Sequence, residues 1–267
     1  MTYFIRSFFI FLAFGMNAQS ESLPSQQKLD SIVQEADKLY AYEWAAWQAT
    51  DLLMQQNHLK AQYGGYLVYE KNDSIYVSFL ENNQEKVMAQ YGFSSAAGQG
   101  KPSFNEELRT LSKTELNLWN IKNKILNQIF TQHKDITIPE GCSPNLVLLE
   151  GEAQYRLYLI LGTSQENRIP LGNDYLFVAD QEGKISHWRK FHNTFIPIDI
   201  PKTDEQKISS AMHSHVKTTP YITATDICTF RLYAPLYGLD HFKVYSSALK
   251  TVFEYRLSDN RILITDL

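Results

Sequence analysis

Residues 208–233 read ISSAMHSHVKTTPYITATDICTFRLY, and their pattern changes twice. Ile208 to His213 has the character of a strand, Pro220 marks a loop, and a short helix is expected from about Thr223 to Tyr233. Residues two apart on a strand face the same side, so the imidazoles of His213 and His215 can converge on one point. Asp226 then falls near the start of the helix, with Thr223 three residues before it at the N-cap position. This strand–loop–helix segment fixes how the surrounding chain is read.

Working outward, further strands are expected at Asn145 to Leu149, Tyr155 to Leu161, Tyr175 to Ala179 and Ile185 to Phe191. Gly162-Thr163, Gly172-Asn173 and Gln181-Glu182-Gly183 supply the turns. Beyond the short helix come His241 to Ser246, Thr251 to Leu257 and Arg261 to Leu267. Toward the N-terminus, Leu29, Ile32, Val33, Ala36, Leu39 and Tyr40 recur at helical steps behind Ser25, predicting a helix over 25–56. A hairpin follows, Tyr66 to Tyr69 and Ile75 to Phe79 about a polar turn, and residues 94–105 read as a loop. Ser112 and Glu115 form a capping-box pattern ahead of a second helix. Short turns favour antiparallel neighbours, so the expected class is α+β with a mixed, mainly antiparallel sheet. The expected organisation is a helix and β-hairpin region over 20–140 and an α+β domain over 141–267.

Residues 1–19 have the layout of an export signal: Arg6, an apolar run from Phe8 to Met16, then Asn17-Ala18-Gln19. The cut is expected after Ala18 or Gln19, placing the mature protein in the periplasm or outside the cell. No other apolar stretch approaches the ~18 residues of a membrane span. The chain carries a net charge of −4 and no run of lysine or arginine, so nothing points to nucleic acid. Aromatic residues make up 13%, with 16 tyrosines, which suits strands. Cys142 and Cys228 are the two cysteines; they could pair in an oxidising compartment, but Cys228 lies in an apolar run where a free thiol packs like a small hydrophobe.

Two imidazoles and a carboxylate suit zinc, and three protein ligands leave the fourth tetrahedral position for water, whose pKa zinc lowers to about 7. The same histidines also read as ordinary surface residues of a strand end. His213-Ser214-His215, ten residues, then Asp226 with Thr223 three before it, resembles the JAMM (MPN or JAB) metalloprotease signature, H-x-H-P followed by S-x-x-D. The resemblance covers about residues 145–267, and only the metal motif is specific.

The resemblance implies that His213, His215 and Asp226 hold zinc and that Thr223 stands where the family's serine helps polarise the attacked carbonyl. Val216 replaces the motif's proline, and Thr223 replaces its serine. The family's general-base glutamate belongs just before an upstream strand ending in glycine. Glu152 is the candidate, out of register with Gly162, and Glu150 lies beside it. Two functions are therefore expected: an exported zinc-dependent hydrolase of amide or isopeptide bonds acting on a peptide or protein, or a non-catalytic JAMM-like binding or assembly protein.

Other residues invite simpler readings. Asp174 fits an Asx-type turn leading into a strand. Arg189-Lys190-Phe191-His192 could meet an acidic group near the site, though alternating surface residues of a hairpin explain it as well. His241 could approach the metal or lie at an edge in water. The chain has no G-x-S-x-G, no Walker-type loop and no G-x-G-x-x-G.

Overall fold

The computed structural model describes residues 22–94, 101–133, 135–201 and 208–265. The export signal expected over residues 1–19 lies outside them. The class is α+β, with mainly antiparallel sheets.

Helix α1, Gln26–Met54, begins at Ser25, whose hydroxyl accepts from the Lys28 amide. The short α2, Asn57–Lys60, leads into a meander of β1, Tyr63–Lys71, β2, Ser74–Glu81, and β3, Lys86–Ser94. The β1–β2 turn places Asn72 and Asp73 at φ of 50° and 53°. Two consecutive left-handed residues match the twist of paired strands, and Asn and Asp tolerate that region best after glycine. Small strands β4, Ser103–Asn105, and β5, Arg109–Thr110, both pair with β3. Part of the expected 94–105 loop is thus strand β4. Helix α3, Lys113–Gln132, opens with the full Ser112–Glu115 capping box.

A four-stranded antiparallel sheet follows, in the order β10-β9-β7-β6. It comprises β6, Cys142–Glu150, β7, Tyr155–Thr163, β9, Tyr175–Ala179, and β10, Ile185–Lys190. Between β7 and β9, β8, Arg168–Gly172, leaves this sheet to pair with β11, Phe195–Asp199. Strand β12, Ser210–His215, helix α4, Ala224–Tyr237, and strand β13, His241–Ser246, form a parallel β-α-β unit. Antiparallel β14, Thr251–Arg256, and β15, Arg261–Thr265, complete that sheet.

Strand β7 explains how the layers stack. Leu157, Leu159 and Leu161 face α3, packing with Leu118, Ile121 and Ile125. The alternate residues Tyr158 and Ile160 face α1 and α4, packing with Leu39 and Cys228. A strand covered on both faces reads as a near-continuous apolar run, as Leu157 to Leu161 does here. Helix α1 joins the two halves of the chain. Its early residues Leu29 and Ala36 enter the core formed by α4 and the β12–β15 sheet, while Ala45, Ala49 and Leu53 pack on the meander. The core is therefore continuous across residue 140. Cys142 and Cys228 are free thiols. Among the described residues no helix is long and apolar enough to cross a membrane.

Candidate metal centre

Strand β12 alternates strictly, with Ala211, His213 and His215 buried and Ser210, Met212 and Ser214 exposed. Both imidazoles therefore face the core, as the two-residue period requires. The chain leaves β12 through Pro220 and enters α4 at Thr223. There the Thr223 hydroxyl accepts from the Asp226 amide, while Asp226 Oδ2 accepts from the Thr223 amide at 2.8 Å and its hydroxyl at 2.7 Å. This capping box occupies Oδ2 and leaves Oδ1 turned toward the histidines.

The structure adds a residue that spacing did not predict. His192 follows β10, and its Nε2 lies 3.2 Å from Asp226 Oδ1. His192, His213, His215 and Asp226 form one buried group whose ligand atoms all lie within 4.8 Å of one another. Their side chains are no more than 3 % exposed.

Asp174 stands at the turn expected before β9, but its side chain is buried and engaged by the site. Gly172 and Asn173 hold φ of 80° and 52°, a sharp bend that delivers Asp174 into the interior. A Cβ on Gly172 would meet the Thr194 carbonyl oxygen at 2.4 Å, so only glycine fits this bend. The Phe191 amide donates to the Asp174 carbonyl at 3.1 Å, extending the β9–β10 ladder by one pair and setting His192 beside the Asp174 side chain. His192 Nδ1 lies 2.5 Å from Asp174 Oδ1, and the Thr225 hydroxyl donates to Oδ2.

Three Nε2 atoms converge. Those of His192 and His215 are 2.8 Å apart, as are those of His213 and His215. Asp226 Oδ1 lies 3.4 Å from His213 Nε2, and Oδ2 lies 3.4 Å from His215 Nε2. The ligand atoms of a tetrahedral ion bound at ~2.05 Å sit about 3.3 Å from one another, so these separations suit one central cation. Among the described residues the fully buried Asp226 Oδ1 has no well-formed hydrogen bond, its nearest histidine nitrogen being His192 Nε2 at 3.2 Å. A metal accounts for that orphaned oxygen, and the donor set fits one.

The surroundings orient two of the three imidazoles as metal sites require, while His213 Nδ1 has no partner among the described residues. His215 Nδ1 donates to the Tyr221 carbonyl at 2.7 Å, which turns the Nε2 lone pair inward, and Asp174 does the same for His192. Burial pulls the His213 pKa down to about 4, and lowers that of His215 as well. Burial would also lower His192, but the Asp174 and Asp226 carboxylates outweigh it and hold that pKa near 11. Burial would raise the Asp226 pKa; the three imidazoles instead keep it far below the carboxylate range. In the absence of a metal the group is a carboxylate facing one imidazolium and two neutral rings.

The structure brings His213, His215, Asp226 and Thr223 together. It places Glu152 elsewhere: on the exposed turn between β6 and β7, where its carbonyl accepts from Gln181 at 3.4 Å. Glu150 accepts from the Tyr155 hydroxyl at 3.2 Å. His241 lies outside the group, with its Nδ1 3.0 Å from Glu254 Oε1. The chain matches no protein-family model, no curated protein and no solved structure.

Proposed function

We propose that this chain is an exported zinc-binding protein that is not a hydrolase: a binding or assembly protein whose C-terminal half is organised by the metal. Zinc is favoured because three imidazoles and one carboxylate form a borderline-soft, tetrahedral donor set. His192, His213, His215 and Asp226 hold it, and bound zinc supplies cross-linking: it ties the β9–β10 hairpin to β12 and to the first turn of α4.

The observation that carries this reading is His192. It provides a fourth protein ligand in the position that a hydrolytic site keeps for water. Among the described residues the nearby carboxylates are engaged: Asp174 by His192 and Thr225, and Glu35 by Arg156, while Glu152 lies on an exposed turn. The zinc-loaded chain is expected to turn over neither peptides nor isopeptide-linked substrates. Turnover that disappears with a chelator would overturn this reading and favour the JAMM-like hydrolase. One observation supports that second reading, since Thr223 both holds Asp226 and lines a neighbouring cleft. Export is tested by N-terminal sequencing of the protein recovered from cells. A start near Ser20 supports it, and a retained Met1 excludes it.

A further inference from the structure

A cleft of about 220 Å³ lies between α1 and the metal centre, lined by Lys28, Ser31, Ile32 and Glu35 on the helix side. Tyr158, Leu176, Arg189, Phe191, Thr219, Tyr221 and Thr223 form the opposite wall. None of the four metal ligands lines it, yet three wall residues touch them directly. Phe191 precedes His192, the Tyr221 carbonyl holds His215, and Thr223 holds Asp226. The cleft is thus built against the metal centre without opening into it.

Its charges are one-sided. Glu35 is answered by Arg156 at 2.8 Å. Arg189 and Lys28 have no carboxylate within ion-pair distance among the described residues. The Arg189 guanidinium lies 5.0 Å over the Phe191 ring, and its Nη2 donates to the Thr218 carbonyl and the Thr219 hydroxyl. Nε and Nη1 have no acceptor among the described residues, which leaves part of a planar donor fork free. Ile32, Leu176 and Phe191 supply apolar wall.

We infer that this cleft binds a small organic anion with an apolar body, its anionic head on Arg189 and its body against Ile32, Leu176 and Phe191. The inference gives the binding-protein reading above a ligand class. Its walls are protein side chains, so measuring zinc content on the same samples separates a failure of the metal reading from a failure of this one.

Isothermal titration calorimetry of the full mature chain would use three probes: phenylacetate, phenyl phosphate and phenethylamine. The first two separate a carboxylate from a phosphate head, and the third has the opposite charge. Binding of either anion, no binding of the amine, and a loss of about tenfold or more in Arg189→Gln are expected. Arg189→Gln should leave circular dichroism unchanged, so that a loss of binding reads the site and not the fold. Equal binding of the amine, anion binding indifferent to Arg189→Gln, or no anion binding by the folded chain would each overturn the inference.

Discussion

The Nε2 atoms of His192 and His215 lie 2.8 Å apart in a site with almost no exposure to water. His215 already gives its Nδ1 hydrogen to the Tyr221 carbonyl, so its Nε2 carries a lone pair. A proton on His192 or a metal between the rings must hold the two nitrogens together. Replacing the proton by zinc also satisfies Asp226 Oδ1 and His213 Nε2, which one proton cannot do. Zinc removal by a chelator is therefore expected to lower the thermal midpoint by on the order of 10 °C, about 4 kcal/mol at saturating metal. Differential scanning calorimetry with and without chelator reads this, and an unchanged midpoint would refute it.

Asp174 should matter to the metal without touching it. Asp174→Asn preserves shape but weakens the charge that orients His192 through Nδ1. Zinc affinity, measured by competition with a chromogenic chelator, should fall about 10–100-fold. Affinity equal to that of the unmodified chain would show that the bond to His192 is incidental.

Thr223 combines two roles that substitutions can separate. Thr223→Ala removes the α4 cap, at about 1 kcal/mol, and also the hydroxyl that holds Asp226 Oδ2. Thr223→Ser keeps both. Urea unfolding of the metal-free proteins isolates the first effect, and zinc affinity adds the second. A serine variant as impaired as the alanine one would contradict the hydrogen-bond account.

A buried pair away from the metal predicts a pH dependence. Glu43 on α1 and Lys122 on α3 are both buried; Asn145 donates to Glu43 at 2.8 Å, and Lys122 donates to the Tyr66 carbonyl at 3.3 Å. Burial raises the Glu43 pKa from 4.5 to about 7 and lowers that of Lys122 from 10.5 to about 8. Between pH 4.5 and 7 the folded chain binds more protons at Glu43 than the unfolded chain, so this site's contribution falls as pH rises, by about 3 kcal/mol at most. Glu43→Gln should flatten that fall and gain stability over the unmodified chain at pH 8. Parallel slopes for the two proteins in urea titrations across this window would contradict the assignment.

Much of the fold was legible where the signal is local. The Ser25 and Ser112 caps, the β1–β2 turn and the alternation that buries His213 and His215 are each set within a few residues. Strands β8 and β11 were not anticipated, because each is short and pairs with the other across an intervening hairpin. The same non-locality hid one of the four candidate ligands and the carboxylate that orients it. Asp174 precedes the β9–β10 hairpin and His192 follows it, 18 residues apart, and alone the first reads as a turn residue and the second as a surface residue. Register counted outward from the Gln181–Gly183 turn would set Lys190 across from Asp174; a bulge between Ile185 and His187 shifts the pairing by one, so that Phe191 stands there and His192 comes beside it.

The most direct test is zinc content by elemental analysis of the mature protein, purified without added metal or a histidine tag, beside its His192→Ala and His213→Ala variants. One zinc per chain in the unmodified protein, reduced in both variants, is the predicted result. No zinc even after incubation with excess metal would contradict the metal centre. Full occupancy in His192→Ala would contradict the fourth ligand on which the non-catalytic reading rests.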